Sequence, residues 1–256
     1  LTLWPLWLAE EIEGIAVWSV GYDAWSSRWR GHAMPLQDRA INLLAQLQNH
    51  GIGERPLCFV THSMGGLLVK EMLLHAAEGR DHFAPFAIAA KGVIFLGTPH
   101  TGSGLTKFVD ALGTLYRGTC AVEDLKHNSA YLRHLNDRYR DWVVGDTGLR
   151  NLVFFETHQT KGVRVVDEAS ANPGLPGVRP IPVDSDHIGI CKPASRDSVV
   201  YGQVKRLITG IQSPVAEYPR VLAEDRESLR LESVSGSVSR TGLRTWTRAC
   251  AAASTR

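Results

Sequence analysis

The chain has 256 residues, 44% of them hydrophobic, and a net charge of only +2. That suits one large α/β domain with or without an appendage, and the near balance of charge gives no electrostatic case for nucleic acid. The four cysteines, Cys58, Cys120, Cys191 and Cys250, show neither CxxC pairing nor zinc spacing, and the ten histidines show no HExxH pattern, so no metal and no cofactor are expected.

The first stretch, "LTLWPLWLAEEIEG", is apolar but lacks the basic region and small-residue cleavage site of a signal peptide. It is also too short to span a membrane. It reads as a chain that starts partway into its domain, and the thiols suit a reducing compartment, with the cytoplasm expected. "GIAVWSVGY" (14–22) is rich in β-formers, and "PLQDRAINLLAQLQNHGIG" (35–53) has apolar residues at helical spacing with Gly51 as a stop. "RPLCFVTHS" (55–63) reads as a strand and "MGGLLVKEMLLHAAEG" (64–79) as a helix. "KGVIFLGTPH" (91–100) and "NLVFFET" (151–157) are further buried strands, and "GVRVV" (162–166) and "VRPIPVDS" (178–185) are shorter extended candidates. "SRDSVVYGQVKRLITGIQ" (195–212) closes the body as a helix.

Apolar strands each followed by a helix predict a mostly parallel sheet covered on both faces. A dinucleotide or P-loop fold loses support, because no GxGxxG and no GxxxxGK[ST] follows a strand. The body is expected over 1–213, interrupted at 103–150 by two amphipathic helical stretches that form either a cap or ordinary crossover helices. In the cap reading, Leu105, Phe108, Leu112 and Leu115 would form its apolar underside. From 214 to 256 the texture is that of a tail or linker, disordered from about residue 233 by composition.

The stretch Thr61-His62-Ser63-Met64-Gly65 sits where an apolar strand meets a helix. That is the context of a G-x-S-x-G nucleophile elbow, with threonine in place of the first glycine. Ser63 would be the nucleophile and the Met64 N–H an oxyanion donor at the helix N-terminus. His62 leaves the strand on a different side from Ser63 and reads as a packed neighbour. Serine needs a base, and the base needs an orienting acid, in the chain order serine, acid, histidine. His187, in the loop "PVDSDHIGICKP", is the expected base. Glu156, at the end of "NLVFFE", is the first choice of acid, with Asp167 the alternative and Glu168 third. Asp184 and Asp186 are expected to shape the His187 loop.

"HSMGGLLVKEML", "GVIFLGTPHTGS", "VVDEASANPGLPG" and "DHIGICKPASRDSVVY" together resemble the serine active-site-containing esterase family, among the α/β-hydrolase lipases and beside the GPI inositol-deacylase-like enzymes. The resemblance spans roughly residues 14 to 212 and implies the α/β-hydrolase fold and an esterase or lipase. It implies Ser63 as nucleophile, His187 as base, and a pocket mouth shaped in part by the "GTPHTGS" turn from Gly97 to Ser103, with Gly97, Thr98, Pro99, His100 and His62 as the expected pocket residues. A small-molecule or lipid ester is the implied substrate, with peripheral contact to organelle membranes. In fungi such domains precede NTPase and repeat modules. A His-Gly-rich loop supplying the second oxyanion donor is usual in the family, and no counterpart occurs in this sequence. The competing reading is a catalytically weak hydrolase-fold domain that recognises a ligand or partner for a larger signalling protein.

Overall fold

The computed structural model describes residues 4–21, 34–79, 82–100, 108–112, 129–145 and 147–212, except the side chains of 129, 130, 132 and 133. The tail expected from residue 214 and, within the 103–150 insertion, residues 103–107, 113–128 and 146, Leu105 and Leu115 among them, lie outside these residues.

Four strands form one sheet in the order β1 (Leu57–His62), β2 (Ala90–Leu96), β3 (Arg150–Glu156) and β4 (Ile181–Val183). Every pairing is parallel, with Thr61 opposite Phe95, Phe95 opposite Val153 and Glu156 opposite Val183. Side chains alternate across a strand, so a strand buried on both faces reads as an unbroken apolar run. In β2, Val93 and Phe95 join one core while Ile94 and Leu96 join the other, all essentially without solvent contact.

The helices divide between those two cores. α2 (Leu36–Asn49), α3 (Met64–Glu78), α4 (Ala84–Ala89) and α5 (Ser129–Val144) bury Leu44, Leu68, Phe86 and Leu135 on the first. α1 (Pro5–Glu11) and α7 (Val199–Gln212) bury Leu8 and Val204 on the second. The short α6 (Glu168–Ala171) lies between β3 and β4 in the chain. The apolar N-terminal stretch is thus an amphipathic helix. Its Trp4 Nε1 donates to the Cys191 carbonyl at 2.9 Å, and its Glu11 accepts from Lys205 at 2.6 Å and from Arg196. These cations, Lys205 first, hold the Glu11 carboxyl down at about 2.

Two expected strands are corrected. Residues 14–21 make no ladder, and Trp18 and Val20 are 59% and 45% exposed. A run of β-formers becomes a strand only beside a partner, and among the described residues β1 pairs with β2 alone. Residues 162–166 make one isolated bridge, between Thr160 and Val163. α5 is a crossover helix packed against α3, with Leu135 and Tyr139 in the core. That is the alternative to a cap for this part of the insertion. Phe108 and Leu112, on a helical turn at 108–112, are also buried in the first core.

Candidate active site

The site starts with a backbone requirement. β1 ends at His62 and α3 begins at Met64, leaving one residue to reverse the chain. That residue, Ser63, sits at φ 55° and ψ −124°. Positive φ is costly for any residue with a Cβ, and strain of this kind is concentrated at functional sites. The tightness also explains the small residues around it. A Cβ on Gly66 would fall 2.3 Å from Thr98 Oγ1 and 2.9 Å from Phe95 Cδ1. The turn sets Ser63 between the end of β1 and the first N–H groups of α3. Four such groups at a helix start have no intrahelical acceptor. Gly66 N–H takes the Ser63 carbonyl at 3.2 Å.

His187 meets this serine from 124 residues further along the chain. Its Nε2 lies 3.0 Å from Ser63 Oγ, and its Nδ1 lies 3.2 Å from Glu156 Oε1. The imidazole is 1% exposed and the carboxylate 0%. A carboxylate can only accept, so Nδ1 carries the proton and Nε2 is left to accept from the serine hydroxyl. Glu156 Oε1 also accepts the Val166 N–H at 2.6 Å, while Oε2 has no hydrogen-bond partner among the described residues. The His187 loop is fixed on several sides. His187 N–H donates to Thr160 Oγ1 at 2.9 Å. Asp186 Oδ1 accepts from the N–H groups of Ile188 and Gly189 at 3.1 and 2.7 Å. The Phe108 ring lies edge-on, 6.2 Å from the imidazole.

His62 supplies another brace. Its Nε2 donates to the His187 carbonyl at 2.7 Å, and the two rings lie 4.9 Å apart. Burial, followed by the charge of His187, pulls its pKa down to about 4. His62 is therefore neutral near pH 7, with its proton held on Nε2 by the carbonyl.

The other carboxylates do other work. Asp167 is the N-cap of α6, its Oδ1 accepting the Ser170 N–H at 2.8 Å and the Ser170 hydroxyl at 2.5 Å. Glu168 is exposed on the same short helix. Asp184 pairs with His158 at the surface at 2.7 Å, so neither of those two reaches the buried imidazole.

The turn Gly97 to His100 is entirely buried beneath this arrangement. Gly97, at φ 55°, donates its N–H to the Phe154 carbonyl at 3.0 Å. A Cβ on it would come within 3.0 Å of both Glu156 Oε2 and His187 Nδ1. Thr98 Oγ1 donates to the Ser63 carbonyl at 3.0 Å. These residues brace the site from beneath. Gly97→Ala is expected to cost about 1–2 kcal/mol through its positive φ alone. The added methyl should also push the carboxylate and imidazole apart. A thermal melt read beside ester turnover checks both, with activity expected to fall by more than the change in stability explains.

Sequence reasoning passed over Thr160, Val166, Lys70 and Asn136, the last two forming a buried cluster described below. Thr160 and Val166 act through an oxygen or a backbone N–H that many residues would supply equally, so no spacing marks them. Lys70 did carry a signal: with Glu71 it is a charged residue inside the mostly apolar run "LLVKEMLL". Among the described residues no group of three or more His, Cys, Asp or Glu is placed to hold a metal.

No protein-family model matches the chain. It is 34% identical over 218 residues to Protein SERAC1 of Mus musculus, an overlap covering 81% of this chain and 33% of that protein. The bovine protein of the same name is 35% identical over the same length and coverage. The chain thus spans about a third of the length of these curated relatives. Among solved structures, BpoC of Mycobacterium tuberculosis aligns over 72% of this chain and 78% of its own, with 16% identity and a TM-score of 0.44. A carboxylesterase of Nitrososphaera gargenis aligns over 70% and 75%, with 12% identity and a TM-score of 0.44. The parallel sheet, the strand–serine–helix turn at positive φ, and the order serine, acid, histidine along the chain define the α/β-hydrolase fold.

Proposed function

We propose that this chain is a serine hydrolase of carboxylic esters, with Ser63 as nucleophile, His187 as general base and acid, and Glu156 as the orienting carboxylate. The observation that carries this reading is one hydrogen-bonded line, from Ser63 Oγ to His187 Nε2 at 3.0 Å and from His187 Nδ1 to Glu156 Oε1 at 3.2 Å. Three residues far apart in the chain, one at the β1–α3 turn, one at the end of β3 and one in the loop after β4, two of them buried, have no packing reason to line up in that order. The chemistry follows from the tautomer. His187 Nε2 takes the Ser63 proton as Oγ bonds to the ester carbonyl carbon, and the carbonyl oxygen becomes an oxyanion facing the Met64 N–H. The same proton is returned to the leaving alcohol as the C–O bond breaks. Water, deprotonated by His187, then releases the acid from Ser63. Glu156 stays ionised and stabilises the imidazolium formed in each half-reaction. No step calls for a cofactor.

Lipid esters are our preferred substrate class, on the resemblance to the serine active-site-containing family and on Phe108, an apolar ring beside the base. Peripheral contact with a membrane surface and a place within a longer polypeptide belong to the same proposal, as does a cytoplasmic setting.

One observation favours the second reading, a weakly catalytic recognition domain. Hydrolases of this fold take a second oxyanion donor from a loop near the nucleophile strand. Among the described residues, the outer edge of β1 has no strand neighbour to carry one. A missing donor costs about 10²–10³ in rate. The two readings part in one experiment, using a fluorophosphonate probe and p-nitrophenyl esters of short and medium chain. Label mapped to Ser63 together with turnover is the expected result. A folded protein that neither labels nor turns over leaves the recognition domain.

A further inference from the structure

A lysine is buried behind the site with no counter-charge among the described residues. Lys70 lies on α3, seven residues or two turns after Ser63, so both are on one side of that helix. Its side chain is fully buried. Nζ donates to Asn136 Oδ1 at 2.7 Å and lies 2.5 Å from His100 Nδ1. The Phe95 and Tyr139 rings stand 5.4 and 5.0 Å from it. Among the described residues no carboxylate pairs with it, and burial pushes the ammonium well below the ordinary lysine range. His100 is pushed down as well, by burial first and by Lys70 second.

Packing does not explain this choice. A buried cationic group costs far more than a methionine or leucine of similar volume. What lysine provides there is an N–H donor that reaches two acceptors on two separate elements. One acceptor, Asn136, sits on α5 and donates in turn to the Pro173 carbonyl at 3.2 Å. The other, His100, is the last residue of the buried turn. With Nδ1 accepting from Lys70, the His100 proton sits on Nε2, which has no hydrogen-bond partner among the described residues. Lys70 is thus the hydrogen-bond partner of the His100 ring among the described residues, the Phe95 ring packs edge-on against it at 4.8 Å, and its backbone N–H is held by the Ser170 carbonyl at 2.6 Å. The other end of the turn is Gly97, in close contact with Glu156 and His187, and between them Thr98 holds the Ser63 carbonyl.

We infer that Lys70, acting through His100, is a positioning residue that seats the turn 97–100 against the Glu156–His187 pair and so sets the alignment of the base. The inference rests on the serine-hydrolase reading above. The titratable groups facing His187 are Glu156 from β3 and His62 from the end of β1. Lys70 touches neither, and its influence travels through the turn.

The test compares Lys70→Met, which keeps length but loses the donor, with Lys70→Gln, which keeps an N–H. Steady-state hydrolysis of a p-nitrophenyl ester is read beside the far-downfield proton resonance of an imidazole Nδ1–H held by a carboxylate. Lys70→Met is expected to lower kcat at least about tenfold with KM within about twofold, and to lose or broaden that resonance. Lys70→Gln is expected to recover a good part of both. A folded Lys70→Met with wild-type kcat and an intact resonance overturns the inference, as does equal damage in Met and Gln variants. Should Lys70→Met not fold, His100→Phe breaks the same link from the other side and is read by the same two signatures. Should the wild type show neither turnover nor fluorophosphonate labelling, the hydrolase reading fails on its own. The resonance then decides alone: its loss in Lys70→Met supports the positioning role and its retention refutes it.

Discussion

Ser63→Ala is expected to reduce kcat/KM for p-nitrophenyl esters by at least about 10³-fold and to leave the fold intact. Removing the nucleophile of a serine triad leaves only the acceleration due to binding and oxyanion stabilisation. The stability expectation follows from the backbone. Ser63 at φ 55° bears the same Cβ strain as alanine would, so the substitution neither adds nor relieves it. The hydroxyl is lost from one hydrogen bond, that to His187 Nε2, in a half-buried position where water can take its place. The melting temperature should therefore move by only a few degrees. Ser63→Gly makes a useful companion, since glycine adopts positive φ freely and should melt higher than alanine while being equally inactive. An alanine variant that folds and hydrolyses ester at the wild-type rate would remove Ser63 from the mechanism and, with it, the reason for the strained turn.

Much of this site could be read before any coordinates, because its parts are tied to local pattern. The serine is announced by an apolar strand ending in Thr61-His62-Ser63 and a helix starting in Met64-Gly65-Gly66, and the strain at Ser63 is what that junction demands. β2 and β3 are buried on both faces, so they show as unbroken apolar runs. Legibility fails where the outcome depends on a partner elsewhere in the chain. "GIAVWSVGY" has the composition of a strand, but composition cannot supply the neighbour a strand needs. The turn 97–100 carries a visible Gly-Thr-Pro-His signature, yet whether it faces substrate or packs beneath the base is set by α3 and α5. The acid was ambiguous for the same reason. Glu156 and Asp167 are eleven residues apart, both at the end of an apolar run, and only the burial of one and the helix cap of the other tell them apart.

That distinction leads to the second large effect. Glu156→Gln is expected to lower kcat by about 10⁴-fold, the order seen when a triad carboxylate becomes an amide, while Asp167→Asn keeps turnover within about twofold. Glutamine would fit the space, and its oxygen can still accept from Val166 N–H. It cannot balance the charge of the imidazolium. If its NH₂ turns toward His187, Nδ1 must accept instead of donate, the ring proton moves to Nε2, and the base can no longer take a proton from Ser63. The Glu156 carboxylate and the His187 imidazole are fully buried, so no water is at hand where they meet to repair either defect. At Asp167 the hydrogen bonds from Ser170 need a side-chain oxygen over the first turn of α6, which asparagine supplies about as well as aspartate. Measuring kcat and melting temperature for both variants separates charge from shape. A large kcat loss confined to Glu156→Gln, with both proteins folded, is the expected pattern. The reverse pattern would place the functional carboxylate at the start of α6 and require the His187 loop to move away from β3 during turnover.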